Sequence, residues 1–171
     1  MRNPGHVALV GLSGSGKSTL APLLASRTGR ALSIDLDRVV EEMAGRTVAE
    51  IFAEEGETGF RALESQALAE ALAGPPAVIA TGGGVVLERE NRRLLRDHAE
   101  VVWLRATPAH LAERLQDTSE ARPLLDGDAE FALHRMATER EALYSEVADL
   151  VVDVDGVDPR TLVDELAERL G

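Results

Sequence analysis

The chain has 171 residues, and its 44% hydrophobic and 3% aromatic content fits one domain with an aliphatic core. A net charge of −12 without a basic patch argues against nucleic acid or an anionic membrane as partner, and the absence of cysteine excludes disulfides and thiolate metal sites. No apolar run approaches the roughly 20 residues of a membrane span and the N-terminus lacks a signal-peptide pattern, so we expect a cytoplasmic protein.

Short apolar runs alternate with helical patterns in the first half of the chain. We predict strands over 6–10, 31–34 and 77–80, and helices over 19–27, 39–43, 47–55 and 57–73. Thr47 is placed to cap its helix, and glycines at 29, 45 and 56 are placed to end or break helices. Gly74, followed by two prolines, stops the last of them.

The second half continues the same alternation. We predict strands over 101–104 and 150–154, and helices over 89–98, 108–115, 129–146 and 159–170. The polar stretch between 116 and 128 is expected to form a long mobile loop, with its lid at about 117–128. Continuous apolar strands between helices are typical of a parallel sheet covered on both faces, so we predict one three-layer α/β domain over 1–171.

The first strand is followed by GLSGSGKS at 11–18, which fits the phosphate-binding P-loop pattern G-x-x-x-x-G-K-[ST]. Glycines allow the backbone N–H groups to approach phosphate oxygens, and the next helix directs its positive end at the same point. Lys17 can then reach the β- and γ-phosphates, and the Ser18 hydroxyl can bind Mg²⁺. Lys17 is the only lysine of the chain, where all 17 other basic residues are arginine.

Two aspartates follow the second strand. Asp35 and Asp37 are two apart in an extended chain, so we expect their side chains to point the same way. One could hold Mg²⁺ through water and the other could orient or deprotonate an attacking hydroxyl group. The alternative is a solvated loop or a helix cap, since Asp37 could cap a helix beginning at residue 38.

Glu57, Phe60, Arg61 and Glu64 recur on one face of the predicted helix over 57–73. This stripe is either a solvated charged face or a guanidinium directed at a substrate carboxylate and held by Glu64. The glycines at 82–84 form either a plain turn or a backbone site with open N–H groups for an anion or hydroxyl.

Two further arginines lie late in the chain. Arg122, in the predicted lid, could close over the phosphates and neutralise developing charge. Arg140 lies on the helix that follows the lid, with Tyr144 one turn on. Either arginine could instead be an ordinary surface residue.

Among P-loop proteins, a GTPase needs a second lysine in its base-reading element, and this chain has none. The chain is too short for a motor or ring ATPase. A small P-loop domain with a mobile loop and many arginines therefore fits a kinase that acts on a small molecule.

The ordered motifs resemble those of shikimate kinases over nearly the whole length. They are GLSGSGKST at 11–19, DLD at 35–37, IFAEEGETGFRALE at 51–64, ATGGGVV at 80–86, RPLL at 122–125 and the ER-x-x-LY stretch at 139–144. The resemblance implies a fold of the nucleoside-monophosphate-kinase type, with a five-stranded parallel sheet in the order 2-3-1-4-5. It implies phosphoryl transfer from ATP, with Mg²⁺, to the 3-hydroxyl group of shikimate.

The resemblance also implies a role for each matching position. Lys17, Asp37 and Arg122 would be catalytic, and Ser18 and Asp35 would manage the metal ion. Nucleotide contacts would come from Gly11, Ser13, Gly14, Ser15, Gly16, Lys17, Ser18, Thr19 and Arg122, with Arg114 stacking on the adenine. Shikimate contacts would come from Asp37, Arg61, Glu64, Gly83, Gly84 and Arg140, with Phe52, Phe60, Pro123 and Leu124 lining the pocket.

Two rivals remain open. One is another small-molecule kinase of the same architecture, such as a gluconate or nucleotide kinase. The other is a non-catalytic nucleotide-binding regulator. We expect a monomer that binds shikimate, with neither nucleic acid nor membrane as partner.

Overall fold

Five parallel strands form one sheet in a computed structural model of the chain, which describes residues 5–116 and 129–171. The strands are β1 (His6–Val10), β2 (Leu32–Asp35), β3 (Ala77–Ala80), β4 (Ala99–Arg105) and β5 (Leu150–Asp153), in the spatial order β2-β3-β1-β4-β5. The helices are α1 (Lys17–Arg27), α2 (Leu36–Ala44), α3 (Val48–Ala73), α4 (Arg89–His98), α5 (Pro108–Gln116), α6 (Ala129–Val147) and α7 (Pro159–Leu170). The predicted strand order is confirmed. The predicted lid at 117–128, with Arg122, Pro123 and Leu124, lies outside the described residues.

Each face of the sheet is covered by its own apolar cluster. On one face, α2, α3, α4 and α6 pack against β1, β3 and β4 around residues such as Leu68, Ile79 and Leu133. On the other face, α1 and α7 pack around Leu9, Leu24 and Leu166. The helices therefore lie on both faces, as the continuous apolar strands predict. In the described ranges, no helix is long and apolar enough to cross a membrane.

Several predicted boundaries were too late. Helix α1 begins at Lys17 rather than at 19, so the last residues of the P-loop motif form its first turn. Helix α2 begins at Leu36 rather than at 39, because the Asp35 side chain accepts a hydrogen bond from Asp37 N and caps the helix. Strand β4 is longer than predicted at both ends.

The predicted helix signals around residue 50 are confirmed. Thr47 and Glu50 form a reciprocal capping box, with hydrogen bonds of 3.1 and 2.9 Å. Gly56 interrupts α3 with φ 71° and ψ −173°, a conformation that glycine adopts at little cost. The kink gives the last part of α3 a direction of its own, and that part carries Phe60, Arg61 and Glu64 toward the sheet.

The ends of the central strands bring distant segments together. The carboxyl ends of β1, β2 and β3 lead into the P-loop, the acidic pair and the three glycines, respectively. Since these strands are parallel neighbours, the three segments meet at one edge of the sheet, where ligands bind in open α/β sheets.

Candidate active site

The P-loop wraps around the Lys17 ammonium group. Lys17 Nζ donates hydrogen bonds to Gly11 O at 2.5 Å and to Leu12 O at 3.0 Å, and the side chain is only 7% exposed. Gly16, at φ 97°, is the N-cap of α1, and this left-handed conformation favours glycine. The loop thus places a compact positive charge beside the N-terminus of a helix, which together attract phosphate.

The Ser18 hydroxyl and the Asp35 carboxylate meet in front of this loop. Ser18 Oγ donates to Asp35 Oδ2 at 2.9 Å, although the two residues are 17 positions apart in sequence. Asp35 Oδ1 accepts from Asp37 N at 3.1 Å, so both carboxylate oxygens are held in place. A hydroxyl and a carboxylate oxygen at this separation are hard donors of the kind that Mg²⁺ binds, alone or through water.

The expectation that Asp35 and Asp37 share an extended segment was wrong. Asp35 is the last residue of β2, whereas Asp37 lies in the first turn of α2. The alternative, in which Asp37 caps a helix, was also wrong because Asp35 is the cap. Helical geometry turns Asp37 away from Asp35 and toward the three glycines, where Asp37 Oδ1 lies 3.4 Å from the position that a Cβ of Gly82 would occupy.

The three glycines pack tightly against charged side chains. A Cβ at Gly82 would collide with Glu64 Oε2, and one at Gly84 would collide with the Arg61 guanidinium group. A Cβ at Gly83 would lie 3.4 Å from both Arg140 Nη1 and Ser13 N. A side chain at 82 or 84 would displace the Glu64 carboxylate or the Arg61 guanidinium group, whereas the distances at Gly83 are those of ordinary van der Waals contact. The segment joins the P-loop to the two arginines.

Arg61 and Glu64 form a buried ion pair at this junction. Arg61 Nη1 donates to Glu64 Oε1 at 2.9 Å, and the Glu64 side chain has no solvent exposure. Burial raises the pKa of Glu64, while the charge of Arg61 and its hydrogen bond oppose that rise. The stripe on α3 is thus not a solvated face. Only Glu57, at 50% exposure, lies toward solvent.

Arg140 and Tyr144 reach the same point from α6. Both are buried, and they lie one helical turn apart on the same face. The Tyr144 hydroxyl donates to the Gly83 carbonyl, and its ring packs against Trp103 at a centroid distance of 5.6 Å. Burial raises the pKa of Tyr144 to about 12, so its hydroxyl stays protonated and able to donate.

Comparison with known proteins decides the family. The family model described as shikimate kinase matches residues 13–171. The shikimate kinase of Symbiobacterium thermophilum is 46% identical over 96% of this chain and 95% of its own length. That of Moorella thermoacetica is 41% identical over 98% of this chain and 95% of its own length.

The chain belongs to the shikimate kinase family. A solved structure described as shikimate kinase from Acinetobacter baumannii in complex with shikimate superposes with a TM-score of 0.89, at 35% identity over 97% of this chain and 92% of that one. A gluconokinase from Sinorhizobium meliloti superposes with a TM-score of 0.65 at 21% identity, a likeness that shows the fold alone.

The structure brings together most of the residues that the resemblance to shikimate kinases names, at the carboxyl ends of β1, β2 and β3. Gly11, Ser13, Gly14, Ser15, Gly16, Lys17, Ser18 and Thr19 form the P-loop and the first turn of α1. Asp37, Arg61, Glu64, Gly83, Gly84 and Arg140 form the second group, beside the loop. Phe60 is buried and packs against the partly buried Phe52 at a centroid distance of 4.7 Å. Arg122 lies outside the described residues.

Arg114 lies nearer the phosphate loop than an adenine-stacking role suggests. A Cβ at Gly16 would be 3.4 Å from Arg114 Nη1, so this guanidinium group lies beside the turn that enters α1. The position adds positive charge next to Lys17. Stacking on adenine stays a prediction.

Sequence reasoning about the shikimate kinase pattern gave no role to Tyr144 and none to Gly82. The first has a usable signal, since Tyr144 follows Arg140 at the i, i+4 spacing that places two side chains on one helix face. Gly82 belongs to the glycine triplet, but only the position of Glu64 shows why a side chain cannot fit there.

Proposed function

We propose that this protein transfers the γ-phosphoryl group of ATP to the 3-hydroxyl group of shikimate. The observation that carries the proposal is the contact between the two halves of the cleft. Ser13 N and Gly11 O of the P-loop and Nη1 of Arg140 all lie within 3.6 Å of the position that a Cβ of Gly83 would occupy. A small carboxylate held by the arginines would therefore be next to the phosphates that the loop binds.

The P-loop side would hold the nucleotide. Lys17 contacts the β- and γ-phosphates, and the N-terminus of α1 adds its positive end. Ser18 and Asp35 would hold a Mg²⁺ ion, which would supply positive charge to offset that of the phosphate oxygens. Arg114 adds positive charge near the loop, and Arg122 from the lid would complete it. In a chain of net charge −12, this local concentration of positive groups is what attracts ATP.

The acceptor side would hold shikimate by its carboxylate. Arg61 and Arg140 are both buried, and the Nε atom of each has no hydrogen-bond partner among the described residues, so their donors are not exhausted by the protein. Glu64 fixes Arg61 in position through its 2.9 Å hydrogen bond. The two phenylalanines, Phe52 and Phe60, give the small apolar ring a wall.

Asp37 would act on the hydroxyl group that attacks. It accepts a hydrogen bond from the 3-hydroxyl group, orients the oxygen toward the γ-phosphorus atom and takes the proton as the new phosphorus–oxygen bond forms. The bond between the γ-phosphorus atom and the bridging oxygen breaks, and ADP leaves. The backbone N–H groups of Gly83 and Gly84 hold the ring hydroxyl groups during this step.

An ATP-coupled assay with shikimate, gluconate and nucleoside monophosphates tests the proposal. We expect ATP to be converted to ADP when shikimate is the acceptor, and not when gluconate or a nucleoside monophosphate is. Turnover of gluconate or a nucleotide but not of shikimate would overturn it. Binding of both ATP and shikimate without turnover would instead favour a non-catalytic regulator. That the protein works as a monomer in the cytoplasm stays a prediction, which gel filtration and localisation of the tagged protein would test.

A further inference from the structure

The Tyr144 hydroxyl group is buried against the glycine segment at 82–84. The residue is 1% exposed, and its hydroxyl donates to the carbonyl oxygen of Gly83, 61 residues away in sequence. Its ring is held by Trp103, so the direction of the hydroxyl is fixed by packing. A buried tyrosine hydroxyl usually finds such a partner, and here the partner belongs to the segment that lies against the P-loop and Arg140.

This hydrogen bond fixes the plane of one peptide group. The Gly83 carbonyl and the Gly84 N–H belong to the same trans peptide, so they point in opposite directions. Within the described ranges, the hydrogen bonds of this turn run from Val85 N to Gly82 O and from Leu87 N to Gly84 O, and Gly84 N–H donates to no backbone carbonyl. Holding the carbonyl toward Tyr144 therefore aims the N–H away from it.

The same hydroxyl lies beside Arg140. The charge of the Arg140 guanidinium group and its hydrogen bonding lower the pKa of Tyr144, against the larger effect of burial. Arg140 Nη1 also approaches Gly83 closely, as the 3.4 Å distance to a Cβ built there shows. One face of α6 thus carries both a guanidinium group and a hydroxyl that meet at the same peptide.

We propose that Tyr144 is a positioning residue for shikimate, which orients the Gly83–Gly84 peptide so that its N–H group binds a ring hydroxyl. The inference rests on the proposed function. Tyr144 does not touch the substrate. It acts through the peptide and keeps that donor in register with Arg140, so that carboxylate and hydroxyl are held by one rigid unit.

Tyr144→Phe removes the hydroxyl and keeps the ring against Trp103. Because one hydrogen bond to a carbonyl is lost, we expect the Kd and KM for shikimate to rise about three- to tenfold, with the Kd for ATP unchanged and kcat within about twofold. Thr138→Val is the matched control, since Thr138 Oγ1 also donates to a carbonyl, that of His134, on the same helix at 2.9 Å but at an exposed position. It should leave shikimate affinity unchanged.

The outcomes separate the two proposals. If the wild type neither binds nor phosphorylates shikimate, both fall. If the wild type turns over shikimate and Tyr144→Phe binds it with wild-type affinity, only the role of Tyr144 falls. An equal loss of affinity for ATP and shikimate would also overturn it, since that would indicate general distortion of the cleft.

A second measurement needs no substitution. Tyr144 is the only tyrosine of the chain, so protein grown with 3-fluorotyrosine carries one fluorine label. We expect its ¹⁹F resonance to shift when shikimate saturates the protein, because the peptide that accepts from the labelled hydroxyl then engages the ligand. An unmoved resonance, with binding verified by calorimetry on the same sample, would overturn the inference even if Tyr144→Phe failed to fold.

Discussion

Glu64 holds the Arg61 guanidinium group in position as the acceptor of a buried ion pair, and burying the carboxylate destabilises the fold unless it is paired. One carboxylate oxygen of Glu64 accepts from Arg61 Nη1 at 2.9 Å, while the other has no hydrogen-bond partner among the described residues. A carboxylate without solvent exposure depends on its partner, because an unpaired buried charge is strongly destabilising. Any single substitution at this pair is therefore expected to change both the affinity for shikimate and the free energy of unfolding.

Arg61→Met should lower the affinity for shikimate by about 100-fold, as expected for a desolvated contact between a guanidinium group and a carboxylate. It should also lower the free energy of unfolding by about 3 kcal/mol at neutral pH, since Glu64 is left unpaired. This loss should shrink at lower pH, because burial already raises the pKa of Glu64 and protonation removes its charge. Calorimetric titration and denaturant unfolding measure the two effects separately.

The double substitution Arg61→Met with Glu64→Met separates the roles. We expect stability to return toward the wild-type value while shikimate affinity stays lost and ATP affinity stays normal. Arg93→Met serves as a surface control. Both partners of Arg93, Glu90 and Asp97, are exposed, so these two ion pairs should contribute nothing measurable to the free energy of unfolding. Recovery of shikimate binding in the double variant would contradict the assigned role of Arg61.

Gly84 offers a purely steric test of the same site. Its φ of −97° is accessible to any residue, so alanine brings no backbone strain, but the new Cβ would collide with the Arg61 guanidinium group. We expect Gly84→Ala to weaken shikimate binding by at least about tenfold while ATP affinity is kept. Gly74→Ala is the matched control, because φ there is −85° and the nearest atom to its Cβ is at an ordinary 3.5 Å. Wild-type shikimate affinity in Gly84→Ala would count against a substrate role for Arg61.

Ser18 and Asp35 make the metal assignment testable. Ser18→Ala removes the hydroxyl that lies 2.9 Å from Asp35 Oδ2, and we expect the Mg²⁺ concentration for half-maximal turnover to rise about tenfold or more. Ser18→Thr keeps the hydroxyl and should stay close to the wild type, as the P-loop pattern allows either residue. The check is a Mg²⁺ titration of turnover at saturating ATP and shikimate, and equal half-saturation in all three proteins would show that Ser18 is not a ligand.

The parts of this protein that a sequence pattern can predict are those set by local spacing. The P-loop motif, the alternating apolar runs and the capping residue Thr47 all act within a few residues, and the structure agrees with each. The prediction for the acidic pair was wrong because of a single capping hydrogen bond, which Asp37 N donates to Asp35. With this cap, α2 begins three residues earlier than predicted, and Asp37 belongs to the helix and not to the strand. Helix ends depend on such side-chain competition, which the apolar period does not record.

Local sequence patterns could not predict the contacts between segments that are far apart in the chain. The spacing of the stripe on α3 is typical of a solvated face and also permits a buried one, and only packing against the three glycines settles that Glu64 is buried. The hydrogen bond from Tyr144 to Gly83 joins α6 to the loop after β3. The i, i+4 spacing from Arg140 places Tyr144 on the same helix face but does not indicate which segment it contacts. The resemblance to a family named residues from distant segments that the structure brings together, because it carries such long-range contacts along with the motifs.

His6, at the start of β1, is buried at the end of the strand opposite the P-loop. It is 1% exposed, and neither ring nitrogen makes a hydrogen bond of good geometry to a described residue, although the backbone of Gly74 and Leu72 lies close enough to affect its pKa. Burial lowers the pKa of His6 below its ordinary value of 6.5, the positive charges of His98 and Arg30 lower it further, and the backbone at Gly74 and Leu72 only partly opposes this.

The sign of the effect on stability follows from proton binding. Between the lowered pKa of His6 in the folded state and its value of 6.5 in the unfolded chain, the unfolded chain binds more protons. The free energy of unfolding should therefore fall as the pH decreases through 6.5, by up to about 1.4 kcal/mol per pH unit from this residue. His6→Val should remove that part of the slope, because valine has no charge to bury.

His134→Gln is the control for His6→Val, since His134 lies on α6 with 63% of its side chain exposed. Its unfolding curve should keep the wild-type dependence on pH. Denaturant unfolding at intervals between pH 5 and 8 gives the comparison. If wild type and His6→Val lose stability in parallel below pH 6.5, the loss comes from other groups. Protonated His6 would then have to form a hydrogen bond or ion pair, because an unpaired charged imidazole in this apolar position lowers the free energy of unfolding.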